Sequence, residues 1–334
     1  MDGTSHLLGL EGMGPAEIHN ILDYATTQLE ILGRQRKKIP SMQGMTVFAL
    51  FYEVSTRTRS SFEIAAKRMS ADFVSLAVPS SSVTKGETLL DTVRNLEAMR
   101  PACIIVRHPS AGAPHFLARH VSCPIINAGD GAHEHPTQAL VDLFTIRHRR
   151  GSLDRLKVAI VGDILHSRVA RSNLHALRAL GAEVRLIGPP TLLPREFGAS
   201  AELTADLMEG VRDVDVIMTL RIQRERQGAN FFPSLDEYAR RFCLTEAAVR
   251  RAKPDVIIMH PGPINRGIEI ATDVADGDYS VIMDQVTNGV ALRMAVLFLA
   301  IGEGPPRAQE PGPKRRSARE AASAGGTIDL FTRH

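Results

Sequence analysis

Phe51-Tyr52-Glu53-Val54-Ser55-Thr56-Arg57-Thr58-Arg59-Ser60-Ser61-Phe62-Glu63 changes period in mid-stretch. The run from Met45 to Tyr52 is apolar and reads as a buried strand, whereas Phe62, Ala65, Ala66 and Met69 recur at helical spacing. Ser55 to Arg59 therefore stand where a strand ends and a helix begins. A helix N-terminus has backbone N–H groups without partners and partial positive charge, so anions settle there. The hydroxyls of Ser55, Thr56 and Thr58 and the guanidiniums of Arg57 and Arg59 make this junction suited to a phosphate group. An ordinary N-cap accounts for one hydroxyl and not for the whole block.

Outward from this junction the chain alternates. Pro15 opens a long helix with Ile18, Ile21, Leu22, Ala25 and Leu29 on one face. Apolar strands are expected at 45–52, 72–77, 103–107 and 124–128, with helices near 59–70 and 86–100. A helix over 136–149 ends at Gly151, and the pattern restarts with strands at 157–163, 183–188, 214–220, 255–260 and 280–284. The fold class is α/β, with two domains, each a parallel β-sheet flanked by helices. The expected boundaries are 1–135 for the first domain, 136–150 for an interdomain helix and 151–287 for the second domain. A last helix over 288–302 follows, and 303–334, rich in Pro, Gly, Ser and charge, reads as a flexible tail.

With 334 residues the chain is long enough for two buried cores, and 44% hydrophobic with 23% charged residues is a globular composition. A net charge of +3 gives no argument for nucleic acid, so any basic site is local. Residues 1–13 lack a basic region followed by an apolar core, so no secretory signal is expected. The apolar stretch 290–301, interrupted by Arg293, reads as too short to cross a bilayer. Cys103, Cys123 and Cys243 are isolated, with no Cys-x-x-Cys pair, so neither disulfides nor structural zinc are expected. A cytoplasmic protein with free, mostly buried thiols fits this usage.

Open parallel sheets bind ligands at the carboxyl ends of their strands. Here those ends lead into Ser55–Arg59, Arg107-His108-Pro109, His133 to Gln138, Asp163 to Arg168, Arg221-Ile222-Gln223 and His260-Pro261-Gly262-Pro263. Phosphate-reading side chains (Ser55, Thr56, Arg57, Thr58, Arg107) fall in the first half. Arg168 and Arg221, suited to forked contacts with carboxylates, fall in the second. No Gly-x-Gly-x-x-Gly follows the strand at 157–163 and there is no Gly-Lys-Ser/Thr phosphate loop, which weakens nucleotide-binding readings.

Ser-Thr-Arg-Thr-Arg at 55–59, Lys-Gly-Glu-Thr at 85–88, Arg-His-Pro at 107–109, His-Pro-Thr-Gln at 135–138 and His-Pro-Gly-Pro at 260–263 occur in that order. Together, over roughly residues 7–302, they resemble the aspartate carbamoyltransferase family, catalytic chains. The resemblance implies a carbamoyl-phosphate domain, completed by the helix at 288–302, and an aspartate domain. It implies transfer of a carbamoyl group from carbamoyl phosphate to the α-amino group of L-aspartate, giving N-carbamoyl-L-aspartate and phosphate in pyrimidine biosynthesis. Neither metal nor organic cofactor takes part in the family's reaction.

The same resemblance assigns roles. Ser55, Thr56, Arg57 and Thr58 grip the phosphate, and Thr58, Arg107 and His135 face the carbamoyl carbonyl oxygen. Gln138 and the backbone of Pro261 and Gly262 serve the carbamoyl NH2. Arg168 holds the α-carboxylate of aspartate, and Arg221 with Gln223 holds its side-chain carboxylate. Ser81 and Lys85, in a polar loop over 80–86, reach into a neighbouring subunit's site, which implies a homotrimer with shared active sites. Glu53 pairs with Arg168 or Arg226. From the residues alone His135 could equally cap the helix that follows it, Gln138 could be a solvated helix residue, and Arg59 a structural ion-pair partner. Ornithine as acceptor, a catalytically silent scaffold, and a regulatory chain or dihydroorotase-like partner stay open on sequence grounds.

Overall fold

The computed structural model describes residues 6–77, 87–222 and 231–302. The first half contains α1 (Pro15–Gly33), β1 (Thr46–Phe51), α2 (Thr56–Arg68), β2 (Asp72–Ala77), α3 (Leu89–Ala98), β3 (Cys103–His108), α4 (Ala113–Ala118) and β4 (Ile125–Asp130). Its strands pair in the order β2-β1-β3-β4, all parallel. Helix α5 (Pro136–Arg150) leads into β5 (Lys157–Val161), α6 (Arg168–Ala179), β6 (Glu183–Ile187), β7 (Glu202–Thr204), α7 (Leu207–Gly210) and β8 (Val216–Thr219). Helices α8 (Leu235–Phe242) and α9 (Glu246–Val249), strand β9 (Ile257–Met259), and helices α10 (Thr272–Ala275) and α11 (Ile282–Ile301) complete it. The second sheet runs β7-β6-β5-β8-β9, again parallel.

Each strand's side chains alternate between two cores, as the two-residue period requires. Val47, Ala49 and Phe51 of β1 join Phe62 and Ala65 of α2, and Val158 and Ile160 of β5 join Leu174 of α6, in one large cluster. The alternate residues Phe48 and Leu50 pack with Val93 of α3 and Leu117 of α4, while Ala159 and Val161 pack with Tyr238 and Phe242 of α8. Burial on both faces explains why these strands read as near-continuous apolar runs. All three cysteines are free, with Cys103 and Cys123 buried and Cys243 partly so.

Three expectations change. The stretch 280–284 is not a strand: Ser280 makes a single bridge to Ile258, and α11 begins at Ile282, six residues before the expected 288. Buried Ile282, Gln285, Asn288 and Leu292 already follow helical spacing, and a short apolar run cannot by itself tell strand from helix. The second change is that α11, at 20 residues, is long and apolar enough to cross a bilayer by length and composition. It is instead a core helix, packed on α1, α2 and α5, with Leu292, Met294 and Leu297 fully buried. The third is edge strand β7, absent from the sequence reading because its residues are only half-buried or exposed and carry no apolar run.

Candidate active site

Strand order reverses at β1/β3 in the first sheet and at β5/β8 in the second. Such switch points splay the connecting loops apart and open a crevice at the strands' carboxyl ends. Both crevices contribute to one cleft of about 1440 Å³, lined by Ser55, Thr56, Arg57, Thr58, Arg107, His135 and Gln138 on one side. Arg168, Arg221, Pro261 and Gly262 line the other. The structure thus brings together all the expected site residues that it describes; Ser81, Lys85, Gln223 and Arg226 lie outside the described residues.

Local chemistry positions them. Ser55 is the N-cap of α2, yet its side chain does not cap, and the helix's first bond runs from the Arg59 N–H to the Ser55 carbonyl at 3.1 Å. The N–H groups before Arg59 therefore lack helical partners. His135 holds the N-cap position of α5, but its side chain does not cap either; its backbone N–H donates to Ser172 Oγ at 2.8 Å. The capping alternative for His135 is thereby set aside. Ser172 in turn donates to Glu134 Oε2 at 2.8 Å, which also accepts from the Leu10 N–H at 2.8 Å. This buried chain ties α6 and the N-terminal segment to the His135 loop.

Glu53 couples the two sides of the cleft. Its Oε2 accepts from Arg168 Nη2 at 2.7 Å and lies 3.2 Å from Arg107 Nε. Arg107 also donates to the Ala128 carbonyl at 3.1 Å and Arg168 to the Gly131 carbonyl at 3.2 Å. Arg168 is fitted so closely that a Cβ on Gly129, where φ is +117°, would stand 2.9 Å from its Cζ. Gly262, at φ +66°, likewise leaves little room: a Cβ there would stand 3.3 Å from the Arg57 Cζ. Partial burial, and then the charge of Arg221, pull the Arg57 guanidinium below its usual value. Like charges from the two halves thus face a common space, which an anionic ligand would relieve.

From Gln138, Gln285 and Arg293 in the cleft wall a polar cluster runs back to Asp142 and Asn173, and of its members only Gln138 was expected from the motifs. Asp142 on α5 accepts from Gln138, Asn173 and Gln285, and Arg293 on α11 donates to Ser61 Oγ at 3.1 Å. The available signal was polar residues interrupting apolar helices: Gln138 and Asp142 four apart on α5, and Gln285 and Arg293 on α11. Burial pushes the Asp142 carboxyl up to about 6, opposed by hydrogen bonds from Asn173, Gln138 and Gln285 and by the charge of Arg293. A carboxyl whose folded value is raised adds stability that is full below its unfolded value and is lost as pH rises through about 6. The native protein should therefore gain stability relative to Asp142→Asn as pH falls from 7 to 5. Thermal melts of both proteins at the two pH values check this, and a constant difference would contradict it.

Residues 5–148 match the profile of the aspartate/ornithine carbamoyltransferase carbamoyl-P binding domain, and 154–300 that of the Asp/Orn binding domain. The aspartate carbamoyltransferase catalytic subunit of Heliobacterium modesticaldum is 54% identical over 297 residues, covering 89% of this chain and 95% of that protein. Aspartate transcarbamoylase from Trypanosoma cruzi, solved in complex with N-(phosphonacetyl)-L-aspartic acid, superposes with a TM-score of 0.81 at 32% identity, over 88% of this chain and 95% of that one. Ornithine carbamoyltransferase from Pyrococcus furiosus gives 0.80 at 32% identity, over 91% and 99%.

Proposed function

The chain belongs to the aspartate/ornithine carbamoyltransferase family, and from that premise we propose that its acceptor is L-aspartate. It transfers the carbamoyl group of carbamoyl phosphate to the α-amino group, releasing N-carbamoyl-L-aspartate and phosphate. Likeness of fold does not choose the acceptor, because aspartate and ornithine enzymes superpose equally well. The observation that carries the choice is the pair of guanidiniums, Arg168 and Arg221, that the second sheet presents to the cleft. Two fixed cations suit the two carboxylates of aspartate and oppose the side-chain ammonium of ornithine. Relatives 54% identical, named for aspartate, support the same reading.

In this reading the N-terminus of α2, with Ser55, Thr56, Arg57 and Thr58, holds the phosphate. Arg107, His135 and Thr58 direct donors at the carbonyl oxygen, where negative charge gathers as the neutral amine attacks the carbonyl carbon. The C–O bond to phosphate then breaks, and the departing phosphate takes the proton that the amine loses. Gln138 and the carbonyl groups of Pro261 and Gly262 receive the carbamoyl NH2. Arg168 holds the α-carboxylate, and Arg221 with Gln223 the other. The chain works as a homotrimer in which Ser81 and Lys85 complete a neighbour's site. Isothermal titration tests the substrate pair: carbamoyl phosphate should bind alone, and succinate, an unreactive dicarboxylate, should bind tightly only afterwards. Binding of ornithine analogues in place of succinate would overturn the choice of acceptor.

A further inference from the structure

Asp142 is fully buried, lines no part of the cleft, and accepts from three side-chain amides. Gln138 Nε2 and Gln285 Nε2 donate to its Oδ1 at 2.9 and 2.8 Å, and Asn173 Nδ2 donates to its Oδ2 at 2.9 Å. The polarity of two of those amides is fixed elsewhere. Gln285 Oε1 accepts the backbone N–H of His260 at 2.9 Å, and since a backbone N–H can only donate, Gln285 must turn its NH2 toward Asp142. Asn173 Nδ2 also donates to the Val169 carbonyl at 3.0 Å, which can only accept, so Asn173 presents NH2 as well. Asp142 is thus met by donors on both oxygens. Gln138 can satisfy it only with its own NH2, which leaves Gln138 Oε1 as the amide end available to the cleft that this residue lines.

We propose that Asp142 is a positioning residue that fixes Gln138 as a hydrogen-bond acceptor toward the cleft and so selects an acyl phosphate bearing NH2 over one bearing a methyl group. This rests on the reading that the cleft takes carbamoyl phosphate. A carbamoyl NH2 donates to the oxygen so placed. Acetyl phosphate, of the same shape, offers a methyl group and leaves that oxygen unpaired. With the Gln138 amide turned the other way, donors would face donors and its share of the discrimination would be lost, leaving only that of the Pro261 and Gly262 carbonyls. The direction of one amide at the cleft is in this way set by the His260 N–H and the Val169 carbonyl, neither of which belongs to α5.

The test is isothermal titration of the full chain with carbamoyl phosphate, acetyl phosphate and inorganic phosphate. The native protein should prefer carbamoyl over acetyl phosphate by about tenfold or more, the worth of one hydrogen bond to a buried acceptor. In Asp142→Ala that ratio should fall about tenfold, to what the Pro261 and Gly262 carbonyls alone supply, while affinity for inorganic phosphate holds. A purely structural defect would weaken all three ligands together and leave the ratio alone. Asp142→Asn can keep its oxygen toward Gln138 and Gln285 and meets only Asn173 with its NH2, so it should retain the native ratio; if the alanine variant fails to fold, this variant decides. An alanine variant that keeps the full native preference, an Asp142→Asn variant that binds phosphate but loses it, or a native protein without it would each overturn the proposal. Failure of the native protein to bind either acyl phosphate would instead overturn the reading of the cleft, and this inference with it.

Discussion

Replacing Arg57 by alanine should lower turnover of carbamoyl phosphate and aspartate by about 100- to 1,000-fold, the usual cost of removing one preorganised donor from developing charge. Arg57 lies in the first turn of α2, where backbone N–H groups lack helical partners, and Gly262 from the opposite half approaches its guanidinium. Its charge also stands close enough to Arg221 for each to feel the other. An anion between them satisfies both, so the loss should appear in binding as well as in turnover. Steady-state kinetics with titration of inorganic phosphate checks it. Because Arg57 is only partly buried and lies outside the apolar clusters, Tm should stay near that of the native chain. A variant within tenfold of native turnover would remove Arg57 from the phosphate grip.

The second large effect concerns subunit sharing. Lys85→Ala and Arg57→Ala should each be nearly inactive, yet restore activity when dissociated, mixed and reassembled. If the chain forms the proposed closed three-fold ring, each site would take Arg57 from one chain and Lys85 from the next. Every hybrid trimer then holds one site with both residues intact. Equal mixing makes about three quarters of the trimers hybrids, so roughly a quarter of native activity should return. Absence of recovery in verified hybrid trimers would place Lys85 in its own subunit's site or in none.

Much of the site was legible because its parts are local. Ser55 to Thr58 announce a strand end and a helix start within a few residues, and His135 precedes Pro136 at the start of α5 for the same reason. Arg168 and Arg221 were legible from their places shortly past strand ends, where parallel sheets hold ligands. The Asp142 cluster was not legible: Gln285 lies 143 residues from Asp142, and nothing in either helix alone says that they meet. Glu53 was intermediate, since its pairing with Arg168 spans 115 residues and was one of two expected partners. Strand β7 and the start of α11 escaped for a different reason. Short segments are decided by tertiary pairing rather than by their own period.

If this cleft joins carbamoyl phosphate to aspartate, a labelled carbamoyl carbon must end on aspartate nitrogen. The full-length protein would be supplied with 13C-labelled carbamoyl phosphate and equal concentrations of aspartate and ornithine, and the label followed by NMR. The labelled carbon should appear in a ureido group on the α-nitrogen of aspartate, with one phosphate released per product. Label in carbamoyl-ornithine with none on aspartate would contradict the assignment.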